Sequence, residues 1–361
     1  MTTLDRHVAF NFLRSYVVLL LVGMGLYVLS DLLVNIDEFT ENRGLTVTQV
    51  LATMGDYYAY NLPLYFTQLA GPVMAFAGAY TVAMMLRHNE MTPLVAAGMP
   101  LQRVAVPILV SSVLLVALCG INREFVLPAF APKIARQRDD LTGQRQAGIA
   151  LARDDHDAIL TARRIHLPER RLDYVVIVEP ESQGGHVVQA DAAIYDPQRK
   201  TWRLEAGKRI VARRGPDGQS LQLGIAREPI SEYAFTLAPE ELLLRQSSQW
   251  AGMLSLRQMN ALLKSRNLPN LAAIRMQRHI WLTQPVLQWL LLALALPFFL
   301  TREPSNVFAA GGRALALTGA FYAVSFLAQS VLSEQWAALV AWIPILLFGP
   351  VAVLQLANVK T

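Results

Sequence analysis

The sequence predicts an α-helical polytopic membrane protein with an inserted all-β domain. Hydrophobic residues make up 53% of the 361 residues and charged residues only 16%, whereas soluble globular proteins carry about 25% charged residues. Uncharged stretches long enough to cross a bilayer occur six times, in two groups of three. Between the groups lies a polar segment whose hydrophobic residues recur with the period of β-strands.

The six uncharged stretches are the predicted membrane spans. A helix needs about 20 residues to cross the roughly 30 Å of hydrocarbon, and only a helix satisfies its own backbone there. The first stretch predicts a retained signal-anchor, because it is too long for a cleavable signal peptide. The stretches are 15–30 with its continuation to Val34, Tyr57–Leu86, Val104–Asn122, Ile280–Thr301, Ala314–Ser333 and Gln335–Val359.

The polar segment predicts a β domain of the jelly-roll or sandwich type. Short runs with alternating hydrophobic residues are separated by turn signals such as Gly184-Gly185 and Asp196-Pro197, a pattern typical of antiparallel sheets. The runs are 158–163, 172–178, 200–205, 208–213, 220–225 and 230–235. The predicted domains are therefore spans one to three in 1–122, the β-jelly-roll-like domain with its membrane-proximal connectors in 123–275, and spans four to six in 276–361.

Basic residues predict the orientation. With six spans both termini lie on one side, and the short loops on that side carry the arginines, as in cytoplasmic loops. The opposite loop at 35–56 has Arg43 against four acidic residues. The β domain is then expected outside the cytoplasm. The net charge of +5 favours anionic membrane headgroups over nucleic acid as the partner.

Enzymatic chemistry has little support in the sequence. The chain contains no P-loop, no H-E-x-x-H among its six histidines and no G-x-S-x-G, and its one cysteine, Cys119, lies within a span. We therefore expect a non-enzyme that holds no cofactor or metal of its own. These observations leave two classes of non-enzyme open. One is a transporter, and the other is a scaffold or sensor of the cell envelope whose β domain binds a partner or signal.

An ordered set of short motifs resembles the LptF/LptG family of lipopolysaccharide export permeases, also called YjgP/YjgQ. The motifs cover both membrane halves, and the β insert lies at the expected place. Pro93 departs from the family pattern, which usually has an aliphatic residue there. The motifs are Asn61–Pro63, Arg87–Gly98, Gln102–Pro107, Asn122–Pro128, Arg278 with Pro285, Ala295–Phe298, Tyr322 and Pro344.

The resemblance implies one half of a permease dimer in the bacterial inner membrane, paired with a paralogous half. Such a dimer takes lipopolysaccharide from the outer leaflet and passes it to a β-jelly-roll bridge, which implies LptC-like and LptA-like partners. An LptB-like ATPase dimer in the cytoplasm would bind ATP and Mg²⁺. Another lipid or glycolipid as the cargo remains an alternative.

The loop 87–103 is the candidate contact for the ATPase. Thr92 and Pro93 can start a short helix that ends at Gly98, and Glu90 falls on the acidic position of the family. A solvated loop carboxylate is the alternative interpretation of Glu90. The predicted coupling residues are Arg87, Glu90, Leu94, Met99 and Arg103.

Basic residues also cluster next to spans three and four, on the side of the membrane predicted to face away from the cytoplasm. Few basic residues are expected on that side. Arginine and lysine pair well with the phosphates that lipid A presents. Snorkelling toward ordinary phospholipid headgroups is the alternative. Arg123 and Lys264 belong to this cluster. The residues predicted to bind the lipid headgroup are Arg136 and Arg278, as the leading choices, together with Lys133, Arg138 and Arg275.

Overall fold

Within the residues that it describes, the computed structural model has six helices long and apolar enough to cross a membrane, as predicted. They cover Thr3–Asp37, Val47–Arg87, Gln102–Ala131, Leu271–Phe298, Ala309–Ala328 and Ala338–Ala357. The structure describes residues 2–40, 46–134, 148–154, 156–167, 169–180, 185–214, 221–239, 241–242, 250–264, 271–300, 307–330 and 336–359.

The helices are labelled here in chain order. A π-helical turn, Asn122–Val126, connects α4 to α5, and a 3-10 turn, Leu296–Phe298, follows α8. The α-helices are α1 Thr3–Thr40, α2 Val47–Arg87, α3 Met91–Ala96, α4 Gln102–Ile121, α5 Leu127–Ile134, α6 Trp250–Met253, α7 Leu256–Lys264, α8 Leu271–Ala295, α9 Val307–Ser330 and α10 Ala337–Ala357.

Two compact units emerge from the contacts within the chain. The membrane-helix unit comprises Met1–Asn35, Asn61–Leu127 and Ala272–Thr361, and the second unit comprises Ile36–Tyr60 and Pro128–Leu271. The second unit contains the sheet.

Helices α2 and α8 approach each other closely in the membrane-helix unit. A Cβ atom added at Gly71 would lie 2.9 Å from Gln288 Cγ, and one added at Gly78 would collide with Leu292. Small residues permit such close helix packing in membranes, where there is little hydrophobic force between helices. Leu292 and Ile108 are fully buried in the same core cluster as Phe12. Gly71 and Gly78 therefore allow the close separation of α2 and α8.

A polar connection joins the end of α4 to α2. The Asn122 side-chain amide donates to the Pro63 carbonyl at 2.8 Å and to Thr67 Oγ1 at 2.9 Å. Asn122 is buried, so both donors of its amide are satisfied away from water. This fixes the place where the third span leaves its regular α-helical geometry.

The sheet is antiparallel, and its order is β1-β2-β3-β4-β5-β8, with β6 pairing to both β4 and β7. Five of the six predicted runs correspond closely to strands, and the sixth, 230–235, forms only the two-residue β8. The strands are β1 Ile149–Arg153, β2 Ile159–His166, β3 Arg171–Val178, β4 Val187–Asp196, β5 Thr201–Glu205, β6 Lys208–Arg214, β7 Leu221–Pro229 and β8 Glu232–Tyr233.

Trp202 on β5 lies at the centre of the core of this sheet. It is fully buried with Phe235 and Leu160, and its indole N–H donates to the Leu237 carbonyl at 3.1 Å. Alternate residues of β5 are buried, as expected for a sheet with one face on a core. An inserted antiparallel β domain between spans three and four is therefore confirmed.

Candidate functional site

Two successive C-terminal capping motifs shape the loop between α2 and α4. At the end of α2, Asn89 has φ 57°, and the Glu90 N–H donates to the Met85 carbonyl at 2.9 Å. At the end of α3, Gly98 has φ +73°, and the Met99 N–H donates to the Leu94 carbonyl at 3.0 Å. Both are Schellman motifs, in which a left-handed residue lets the chain turn while the last carbonyls stay satisfied.

The short helix α3 begins at Met91, earlier than the predicted start at Thr92 and Pro93. Pro93 is its third residue, where the backbone N–H has no partner within the helix, so proline is tolerated. The helix ends before Gly98, as predicted from the sequence.

The loop is anchored to the first and last helices of the same unit. Arg103 Nη2 donates to Asp5 Oδ2 at 2.9 Å, and His7 Nε2 lies 3.2 Å from Glu90 Oε2. Gln102 Nε2 donates to the Leu356 carbonyl at 3.0 Å. These contacts connect residues that are about 80 to 250 positions apart in the sequence, so the loop has one defined position on the bundle.

The predicted coupling residues are brought together here, in different environments. Arg87 is exposed, and the Glu90 side chain is 36% exposed beside His7. Leu94 packs partly against the helix core, Met99 is half-buried, and the guanidinium of Arg103 is engaged with Asp5. The exposed surface of this loop also includes Thr92, Pro93, Ala96 and Ala97.

The predicted headgroup residues are spread over both units. Lys133 is exposed, and its ammonium lies 4.0 Å from the centre of the Tyr60 ring. Arg275 is an exposed residue of α8, and Arg278 follows one turn later. Arg136 and Arg138 lie outside the described residues.

Arg123 is the residue of this group that the structure distinguishes. It is only 6% exposed, in the π-helical turn after α4. Its Nη1 donates to Gln284 Oε1, and its guanidinium carbon lies 5.9 Å from the centre of the Trp281 ring. The sequence placed Arg123 in the basic cluster without preferring it, because its burial depends on packing against α8, more than 150 residues away.

Metal binding has no candidate in the described part of the chain, where no three His, Cys, Asp or Glu side chains are grouped. Cys119 is a buried free thiol, and Gln288 Nε2 lies 3.6 Å from its sulfur. In that position it is a packing residue of the bundle.

Comparison with known proteins gives one family. No curated protein matches the chain. The model of the family described as "Lipopolysaccharide export system permease LptF/LptG" matches residues 6–358. The match includes all of the first span except its first three residues, the other five spans, the sheet and the loop 87–103. The chain therefore belongs to the LptF/LptG family of lipopolysaccharide export permeases.

Proposed function

We propose that this chain is a permease subunit of an ABC-type exporter that extracts lipopolysaccharide from the outer leaflet of the inner membrane. Family membership over residues 6–358 is the observation that carries the proposal. In this proposal a separate LptB-like ATPase dimer binds ATP and Mg²⁺, and this chain supplies half of the membrane path. The second half is a paralogous permease subunit.

The proposed orientation places both termini and the loop 87–103 in the cytoplasm. The arginines of the short loops support it, through the excess of basic residues that cytoplasmic loops carry. The sheet of the second unit is then in the periplasm. There it would hand the cargo to LptC-like and LptA-like jelly-roll partners.

Strand edges are the natural contact for such partners, because a neighbouring sheet can continue an unpaired edge through main-chain hydrogen bonds. Among the described strands, β1, β7 and β8 each pair with a single neighbour. We therefore assign the bridge contact to an edge of this sheet.

The loop 87–103 is the proposed docking element for the ATPase. Docking can transmit a movement only if the contacted element is rigidly connected to the spans, and this loop is connected by two capping motifs and by the Asp5–Arg103 pair. Glu90 offers a partly exposed carboxylate to a basic surface of the ATPase. Arg87, Leu94, Met99 and Arg103 complete the proposed coupling residues.

The test is co-purification of the full chain with its paralogous half and the ATPase, followed by measurement of ATP hydrolysis and lipopolysaccharide release. Glu90→Lys is expected to lower the coupled release at least tenfold, because it places like charges at the contact. An ATPase variant with the opposite charge change is expected to restore release.

Two control variants make the result specific. Glu169→Lys changes an exposed carboxylate of the sheet unit and is expected to leave ATP hydrolysis unchanged. His7→Ala removes the neighbour of Glu90 inside the chain, so it distinguishes docking from internal pairing. Normal release by Glu90→Lys, or an equal loss in His7→Ala, would contradict the docking role of Glu90.

A further inference from the structure

A cavity with polar walls lies in the second unit, among the ends of its strands. Its volume is about 390 Å³, which is within the range of small-molecule sites, roughly 300–1,000 Å³. Charged and polar side chains from four different strands or strand ends line it. They are Asp154 after β1, Glu179 after β3, Arg209 on β6 and Tyr233 on β8.

Glu179 and Arg209 are paired, but each keeps one unsatisfied atom. Strand β4 pairs with both β3 and β6, which brings Glu179 beside Arg209. Arg209 Nη2 donates to Glu179 Oε1 at 2.7 Å, a single hydrogen bond where a guanidinium and a carboxylate can form two. Glu179 Oε2 and Arg209 Nε are buried and have no hydrogen-bond partner among the described residues. Since the Glu179 side chain is only 3% exposed, leaving it unsatisfied is costly.

Asp154 adds a second buried carboxylate to the cavity wall, and its side chain is 1% exposed. Its Oδ1 atom accepts the backbone N–H groups of His156 and Ala158, each at 2.9 Å, which closes the turn after β1. Its Oδ2 atom has no hydrogen bond to a described residue. The Nδ1 atom of the exposed His156 lies 3.8 Å from it, too far for a hydrogen bond. Asp154 therefore keeps one oxygen for a ligand while the other maintains the backbone.

The cavity carries an excess of negative charge. Its two buried carboxylates, Asp154 and Glu179, face one guanidinium, that of Arg209, and Glu232 is paired with an exposed arginine. Burial, followed by the charges of Glu179 and Asp154, raises the pKa of Tyr233, as expected beside uncompensated carboxylates. A cationic group in the ligand would balance them. A metal ion fits poorly, because the described residues include no group of three His, Cys, Asp or Glu side chains to hold one.

We propose that Asp154, Glu179 and Arg209 form a binding site for an amino sugar. Its ammonium group donates to Asp154 Oδ2 and Glu179 Oε2, and the neighbouring hydroxyl oxygen accepts from Arg209 Nε. Both interactions are charge-assisted hydrogen bonds, and together they satisfy the atoms that the chain leaves without partners. The site lies wholly in the second unit and does not depend on the proposed function.

The test is isothermal titration calorimetry of the full chain in detergent with glucosamine and with N-acetylglucosamine. Acetylation replaces the ammonium group by a neutral amide and keeps the ring and its other hydroxyl groups. The titration is made at about pH 6.5, below the ordinary pKa of such amines. The wild-type chain is expected to bind glucosamine at least tenfold more tightly than N-acetylglucosamine, because a hydrogen bond between charged groups is lost.

Two variants and a matched control separate binding from folding. Glu179→Gln and Asp154→Asn are each expected to weaken glucosamine binding about tenfold. Asp154→Asn should fold, since the amide oxygen of asparagine can accept the same two backbone N–H groups. Asp196→Asn is the control, because Asp196 Oδ1 accepts the Gln198 N–H at 2.9 Å in the turn after β4, outside the cavity. It is expected to bind glucosamine as tightly as the wild-type chain.

An amino sugar could also reach the site as part of a lipid. Native mass spectrometry of the full chain with lipid A that carries an amino sugar, compared with unsubstituted lipid A, tests that source. A preference for the amine in either experiment, lost in Asp154→Asn, supports the site and identifies the source.

Three outcomes would overturn the proposal. The first is equal binding of the two free sugars together with equal retention of the two lipids. The second is glucosamine binding that is unchanged in both Asp154→Asn and Glu179→Gln, which would place the sugar elsewhere. The third is binding of Mg²⁺ without either sugar, lost in the same variants, which would make the cavity a metal site.

Discussion

Replacing Gly78 by alanine tests the close packing of α2 on α8. The added methyl group would collide with Leu292 and lie 3.3 Å from Leu296 and 3.6 Å from Ile108. All three neighbours are fully buried, so none can move into solvent. Overpacking of this kind lowers the stability of the fold by about 1–3 kcal/mol. The higher helix propensity of alanine offsets up to about 1 kcal/mol of this loss.

Gly319→Ala is the matched control for Gly78→Ala. Gly319 also lies inside a spanning helix, and a Cβ atom there meets nothing within 4 Å. Both variants gain the same helix propensity, because each replaces a glycine within a helix by alanine. The difference between their free energies of unfolding is therefore the packing cost at Gly78, about 1–3 kcal/mol. Leu292→Ala removes the colliding atoms, so this substitution should cost less stability in the Gly78→Ala background than in the wild-type chain.

The assay is thermal unfolding of the full chain in detergent, followed by a dye that reacts with exposed thiols. Cys119 is the one cysteine of the chain and is buried in the bundle, so dye labelling reports opening of the helices. Gly78→Ala is expected to melt below Gly319→Ala by several degrees. Equal melting temperatures for the two variants would refute the proposed packing of α2 on α8.

Three further predictions concern the sheet and the loop. Trp202→Phe leaves the Leu237 carbonyl without its hydrogen-bond donor, and we expect it to lower the free energy of chemical unfolding by about 1–3 kcal/mol. Trp336 is exposed, so Trp336→Phe is the control and is expected to have no effect. Burial, followed by the charges of Glu179 and Asp154, raises the pKa of Tyr233 to about 12. The neutral phenol therefore stabilises the fold below pH 10, and this stabilisation is lost as the pH rises from 10 to about 12. When the free energy of unfolding is measured as a function of pH, Tyr233→Phe should not show this loss. A double-mutant cycle of Asp5→Asn and Arg103→Gln should give a coupling energy of roughly 0.5–1 kcal/mol, and a coupling of zero would mean that this pair does not anchor the loop.

The six spans could be predicted from the sequence because a bilayer imposes one requirement, a long uncharged helix, that is visible residue by residue. Strands β2, β3, β5, β6 and β7 were also predicted, from alternation and turn residues. Strands β1 and β4 were missed. The β4 segment contains Ala190, Ala192 and Ala193 where strands usually carry β-branched residues, and its place in the sheet is determined by pairing with β3, β5 and β6.

The site was predicted less completely than the fold. The loop 87–103 could be located, since Gly98 marks the end of a helix, but its start depends on the left-handed Asn89 and not on Pro93. The pairing of Arg103 with Asp5 and the burial of Arg123 under α8 are tertiary contacts between distant segments. No local pattern around either arginine indicates such a partner.

Thiol accessibility tests the central claim, that the loop 87–103 and the inserted sheet lie on opposite sides of the inner membrane. Because Cys119 is buried, single cysteines at exposed Ala97 and at exposed Gln198, in the turn between β4 and β5, provide the two reporters. In spheroplasts, a membrane-impermeant maleimide is expected to label Gln198→Cys at once and Ala97→Cys only after permeabilisation. Immediate labelling of Ala97→Cys, with protection of Gln198→Cys, would contradict the export account.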